Sequence, residues 1–156
     1  MRGLVFHTMA CAVLLVGLTG CGAVNKLLGR SPTTALSSLR VAAPPGANLN
    51  SAVQLDIVFL YDSASTAMLP QTSPEWFAQK TALLNGLAQA IDVVHLEVPP
   101  AQVIDAVALP KRAGKAVVVY AYANYLTKEG QVRVDLTRFR HAVVWLAATQ
   151  VSVTEQ

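Results

Sequence analysis

The chain has few of the residues that carry out chemistry. Its 156 residues include two cysteines, Cys11 and Cys21, and three histidines, His7, His95 and His141. His95 and His141 each lack a second His, Cys or carboxylate at ligand spacing, so no metal site is expected. No GxSxG elbow, phosphate-cradling glycine loop or HExxH occurs, so no catalytic residue and no cofactor are assigned and the reading is non-enzymatic. Charge is sparse too: 13% of residues are charged and the net charge is +3. Lys and Arg are scattered rather than gathered into a basic face, which excludes a nucleic-acid partner. The densest basic stretch, Arg138-Phe139-Arg140-His141, reads as a solvated turn between two strands. At 53% hydrophobic residues the chain is not a disordered tail, and its length suits one domain of ordinary size.

No long apolar run is found either. The uninterrupted part of the N-terminal stretch, Met9 to Leu18, is well short of the ~20 residues a bilayer-crossing helix needs. One early positive charge, a short apolar core and small residues after it read as a secretory signal peptide over residues 1–20. The four residues that follow the core, Leu18-Thr19-Gly20-Cys21, resemble the lipobox of bacterial lipoproteins. That resemblance implies cleavage before Cys21, diacylglycerol on its thiol and acylation of the new amino group. Cys11 would be discarded with the signal, leaving Cys21 without a disulfide partner, so an exported domain must rest on its core. Gly22 stands where an aspartate tends to retain enteric-type lipoproteins in the inner membrane, which points to the outer membrane. Several acyl chains make an adequate anchor, since each buried methylene contributes ~0.8 kcal/mol.

Residues 21–51 lack a sustained period and contain Ser31-Pro32-Thr33-Thr34 and Ala43-Pro44-Pro45-Gly46. They read as a lipidated tether that keeps the domain clear of the headgroups. The folded domain is expected over 52–156. Val53, Leu55, Ile57, Phe59 and Tyr61 alternate along a first strand. Ser73-Pro74-Glu75 then opens a helix with Ser73 as its cap, and Trp76, Phe77, Leu83, Leu84 and Leu87 form its apolar stripe. Strands are predicted around Val94–Val98, Val103–Leu109, Ala116–Leu126, Val132–Leu136, Ala142–Ala147 and Gln150–Val153. The segment 116–126 is apolar on both faces, as a doubly covered central strand would be, and Thr127–Gly130 reads as a tight hairpin. The predicted fold is all-β: an antiparallel β-sandwich of seven or eight short strands with one inserted α-helix.

Asp56, Asp62, Asp92, Glu97, Asp105 and Asp135 read as solvated faces and turn caps. Tyr120, Tyr122, Tyr125 and Trp76 read as packing residues. The polar segment 62–72 is long for a connection, and it carries Met68 and Leu69, which either contact a partner or cover the helix–sheet seam.

Taken in order, the lipobox, the tether, "VQLDIVFLY", the polar loop, "PEWFAQKTALLNG", "VPPAQ" and "AVVVYAYANYL" resemble the outer-membrane lipoprotein family of type VI secretion systems, TssJ/SciN. The resemblance implies a transthyretin-like sandwich that faces the periplasm from a lipid anchor in the outer membrane. Its partners would be the bilayer, through acylated Cys21, and the periplasmic domain of a TssM-like inner-membrane subunit. In that family the loop between the first two strands helps contact the partner; 62–72 is taken to fill that place, with Met68 and Leu69 as apolar contacts. The alternative is an envelope lipoprotein holding a small molecule or lipid between the sheet layers. Replacing Cys21 with Ser should leave the protein soluble and uncut at this site, measured by fractionation and intact mass; an uncleaved anchor would stay in the membrane.

Overall fold

Strand alternation in the sequence becomes eight strands in two sheets in the computed structural model, which describes residues 32–156. The expected signal peptide, Cys21 and the first part of the expected tether lie outside the described residues. In chain order the elements are β1 (Ser38–Ala43), β2 (Val53–Leu60), α1 (Ser73–Gly86), β3 (Ile91–Val98), β4 (Gln102–Ile104), β5 (Val118–Ala123), β6 (Val134–Asp135), β7 (His141–Leu146) and β8 (Val151–Glu155). One sheet has the order β4-β1-β7-β8 and the other β3-β2-β5-β6. The fold is therefore a β-sandwich with one helix.

Four expectations are corrected in detail. The tether does not run to residue 51: Ser38–Ala43 is a full strand whose Leu39, Val41 and Ala43 enter the core between the sheets. Its period-two pattern is short and flanked by proline and serine, which hid it. The sandwich is not wholly antiparallel, because β1 runs parallel to β7, from Ser38 opposite His141 to Ala42 opposite Trp145. Periodicity carries no strand direction, so this pairing had no local signal. The regular ladder of 103–109 ends at Ile104, with one further bond from Val107 N–H to Leu39 O at 2.9 Å, and 124–133 is a longer connection containing a 3-10 turn, Glu129–Gln131, rather than a tight hairpin.

The inter-sheet core is filled by Leu39, Val41, Leu55, Ile57, Phe59, Val119, Leu136, Val144 and Leu146 among others. The helix covers the other face of the second sheet, where Trp76, Leu83 and Leu87 meet Val58, Leu60, Ile91, Tyr120 and Tyr122. β5 is thus covered on both faces, as the apolar run at 116–126 predicted, and so is β2, whose alternation did not announce it. The helix cap is Thr72, in extended conformation, with Pro74 in the first turn. The Thr72 hydroxyl donates to Glu75 Oε2 at 2.8 Å, and Ser73, expected to cap, is instead buried with its Oγ unpaired among the described residues. At the β3–β4 turn Ala101 has φ 61°, a left-handed backbone that costs an L-residue with a Cβ ~1 kcal/mol or more.

The two ends of the sandwich differ. The chain enters at one end, where Thr34 N–H donates to Ala116 O at 2.7 Å and Ala35 N–H to Thr137 O at 2.9 Å. The turns 110–116 and 136–140 lie there. The connections 44–52, 99–101, 124–133 and 147–150 form the far end. A chain beginning at Pro32 should keep a cooperative thermal transition by circular dichroism. One beginning at Ser51 should lose it, because it lacks Leu36, Leu39, Val41, Ala43 and Ala47 from the core.

Candidate partner-binding surface

Of the six acids read as solvated faces or turn caps, Glu97, Asp105 and Asp135 are exposed and Asp62 caps its own turn, but Asp56 and Asp92 sit in two buried or half-buried clusters. Asp56, in the middle of β2, has no solvent exposure. Its Oδ2 accepts from the Trp76 indole N–H at 2.7 Å and lies 2.8 Å from Lys80 Nζ. Its Oδ1 lies 2.6 Å from His95 Nδ1, which must donate if the carboxylate is ionised. One carboxylate therefore joins the helix, through Trp76 and Lys80, to β2 and β3. Trp76 also stacks on Tyr122, with ring centroids 4.8 Å apart. The expectation of a solvated Asp56 fails because the helix lies over its face of β2. Trp76 is fully buried, so its role is packing and not surface recognition.

The second cluster lies at the entry end. Arg112 grips Asp92 through Nε at 2.8 Å and Nη2 at 2.9 Å, and its guanidinium sits 3.9 Å from the centre of the Tyr61 ring. Hydrogen bonds from Arg112 hold the Asp92 carboxyl below the usual carboxylate range. Burial and the neighbouring Asp92 push the Tyr61 hydroxyl above its ordinary value. Both clusters tie elements together, and neither presents an open reactive group.

The segment 62–72 splits the pair of apolar residues proposed on it. Asp62 closes the start, accepting from Ala64 N–H at 3.1 Å and from Ser65 Oγ at 2.6 Å; these bonds hold its carboxyl below the usual range. A 3-10 turn follows at Ala64–Met68. Leu69 is 2% exposed and packs beneath the helix with Trp76 and Tyr122, so it covers the seam, whereas Met68 is 55% exposed. The segment is anchored at its end by Tyr122 Oη, which donates to Pro70 O at 2.7 Å, and by Arg133 Nη1, which donates to Leu69 O and Pro70 O at 3.0 Å each. Burial pushes the Tyr122 hydroxyl up to about 12.

The sequence reading did not find the far end, where the chain is both strained and tightly held. Between β1 and β2, Asn48, Leu49 and Asn50 have φ of 45°, 54° and 62°, a left-handed stretch with no glycine in it. Asn tolerates that conformation; Leu does so at a cost of ~1–2 kcal/mol. What keeps it there is a lattice of hydrogen bonds. Asn48 is 2% exposed: its N–H donates to Ala147 O, its Oδ1 accepts from Leu126 N–H at 2.8 Å and its Nδ2 donates to Ala52 O. Leu49 N–H donates to Ala148 O. Tyr125 Oη donates to Ala147 O at 2.8 Å and Thr127 Oγ1 to Thr149 O at 2.5 Å. Gly130 passes so close beneath the Tyr125 ring that a Cβ there would collide with it. Three connections are thereby locked together, and they hold two leucines in water: Leu49 is 55% exposed and Leu126 64%. Strain of this kind, held by its surroundings, concentrates at functional sites. Gly46, Asn48 and Asn50, residues that accept positive φ, were the available signal in the sequence, but they sat in a segment read as tether.

No protein-family model matches the chain, and no curated protein matches it by sequence. Solved structures do. Serratia marcescens Lip, described as a membrane-bound component of the type VI secretion system, is 12% identical, with a TM-score of 0.51 over 76% of this chain and 96% of that one. The type VI secretion lipoprotein TssJ1 from Pseudomonas aeruginosa is 14% identical, with a TM-score of 0.53 over 76% and 94%. A chain in the structure of the TssM C-terminal domain from EAEC is 18% identical, with a TM-score of 0.54 over 76% and 97%. The chain has the fold of these proteins.

Removing the acceptor at the centre of the helix–sheet joint strands an ammonium and an indole N–H. Asp56→Ala should therefore lower stability by about 3 kcal/mol or more in urea unfolding. His95→Gln, at the half-exposed rim, should cost much less, and equal losses would contradict the geometry.

Proposed function

We propose that this chain is an outer-membrane-anchored lipoprotein that serves as a structural and assembly component of a type VI secretion trans-envelope complex. Acylated Cys21 holds it in the bilayer, and its sandwich faces the periplasm. The far end grips the periplasmic domain of a TssM-like inner-membrane subunit. The role is mechanical and requires no cofactor.

The observation that carries this reading is the left-handed turn at Asn48–Asn50. The resemblance assigns partner contact to the loop between the first two strands. With Ser38–Ala43 recognised as β1, that loop is Pro44–Ala52 and not 62–72. Leu49 and Leu126 are exposed, apolar and fixed in a rigid frame, so docking against them loses little conformational entropy. They lie at the end of the sandwich opposite the one where Thr34 and Ala35 enter it. The fold shared with type VI secretion lipoproteins and the lipobox at Leu18–Cys21 support the same reading. Of the two contacts first expected on 62–72, exposed Met68 is retained as a secondary one. Leu69, which lies under the helix, is withdrawn.

Leu49→Asn combined with Leu126→Ser should lower affinity for the periplasmic domain of the inner-membrane subunit by about tenfold or more, as two central apolar anchors would. The melting temperature should hold or rise, because Asn relieves the strain at position 49. Met68→Ser should weaken binding less. Unchanged affinity in the double variant would remove the far end from the interface.

A further inference from the structure

Charge is unevenly committed over this sandwich. The described residues hold nine Lys and Arg, and four of them are engaged within the domain. Arg40 pairs with Asp105, Lys80 with Asp56 and Arg112 with Asp92, while Arg133 donates to Leu69 O and Pro70 O. The side chains of the other five, Lys111, Lys115, Lys128, Arg138 and Arg140, have no ion pair or hydrogen bond among the described residues, and all five are exposed. Four of these five lie on the two turns of the entry end, 110–116 and 136–140. Lys128 alone is at the far end, next to Glu129.

The acids at the entry end do not answer those cations. Asp92 is held by Arg112, and Asp62 caps its own turn through Ala64 N–H and Ser65 Oγ. Asp135 accepts from Thr137 N–H, and Glu155 accepts from the backbone N–H groups of Arg140 and His141. Each carboxylate is spent on backbone N–H groups, on a neighbouring hydroxyl or on Arg112, while the four cations project with their donors unused among the described residues.

The path of the chain says what these cations meet. Thr34 and Ala35 are bonded to Ala116 O and Thr137 O, and Ser37 N–H to Arg140 O, so the chain enters between the very turns that bear them. From Cys21 to Pro32 is eleven residues, which span at most ~40 Å even when fully extended. A tether ending at residue 51 would have allowed nearly three times that reach. The short segment also adds Lys26 and Arg30.

We infer that the entry end of the sandwich docks on the anionic phospholipid headgroups of the membrane that holds Cys21, through Lys111, Lys115, Arg138 and Arg140. The inference rests on the lipid-anchor reading for its geometry. Acyl chains and a basic face then act as two signals on one surface. Docking by that end turns Leu49 and Leu126 away from the bilayer and toward a partner arriving from the inner membrane.

The test uses the chain from residue 21 with Cys21→Ser, which retains all of Pro32–Gln156 and carries no lipid. Its co-sedimentation is measured with vesicles of phosphatidylethanolamine and phosphatidylglycerol, and with phosphatidylcholine vesicles. Binding should require phosphatidylglycerol and fall by roughly tenfold or more in K111E/K115E/R138E/R140E. It should also fall as salt rises from about 50 mM to about 500 mM. Exchanging each Lys for Arg and each Arg for Lys should preserve binding, and melting curves check that every variant folds. Equal binding to both vesicle types, or binding that survives charge reversal, would overturn the inference. So would capture by polyglutamate as strong as by phosphatidylglycerol, which would point to an acidic peptide partner instead. Fatty-acid labelling of the full chain is read separately. An unlabelled Cys21 would defeat the anchor reading, while the vesicle result judges the basic face.

Discussion

A carboxylate without access to water holds the helix to the sheet. Asp56 is fully buried in β2, and its two oxygens take an indole N–H, an ammonium and an imidazole. A buried charge is tolerable only when its partners are in place, so the arrangement is close to all-or-none. It fixes where α1 crosses the strands, and with that the path of the segment leading into the helix. Leu69 is drawn under Trp76 and Met68 is left outside. The burial of Trp76 over Tyr122 and the anchoring of Pro70 by the Tyr122 hydroxyl follow from the same placement.

The sandwich is polar in the geometric sense. One end receives the chain and presents cations whose donors are unengaged among the described residues; the other locks three connections around Asn48 and Tyr125. Both ends are made by loops, yet they are stiffened differently. The entry end is tied by backbone bonds from Thr34, Ala35 and Ser37 and by the Arg112–Asp92–Tyr61 cluster. The far end is tied by buried side-chain amide and hydroxyl groups, and these support a backbone that would not be stable alone.

Much of the fold was legible in the sequence, for a local reason. β2 follows the Val53–Leu60 alternation, α1 begins where Ser73-Pro74-Glu75 announced a helix, and β5 lies inside the doubly apolar 116–126. The site was less legible. β1 was missed because six residues between proline-rich stretches give a weak period, and that miss moved the loop between the first two strands from 44–52 to 62–72. The left-handed turn was missed with it. Asp56 was read as solvated because nothing in a β-strand's own residues reports what lies above its face.

By itself the sequence determined that 53–60 and 118–123 extend, that 73–86 coils and that the strand within 116–126 is covered on both faces, since those properties are written in residues two to four positions apart. Tertiary structure alone decided that β1 pairs in parallel with β7, joining Ser38 to His141 across a hundred residues. It decided that Asp56 is buried, that Leu69 is inside and Met68 outside, and that the unengaged cations gather where the chain enters. Each of these depends on contacts between residues far apart along the chain, and hydrophobic spacing carries no information about which distant partners will meet.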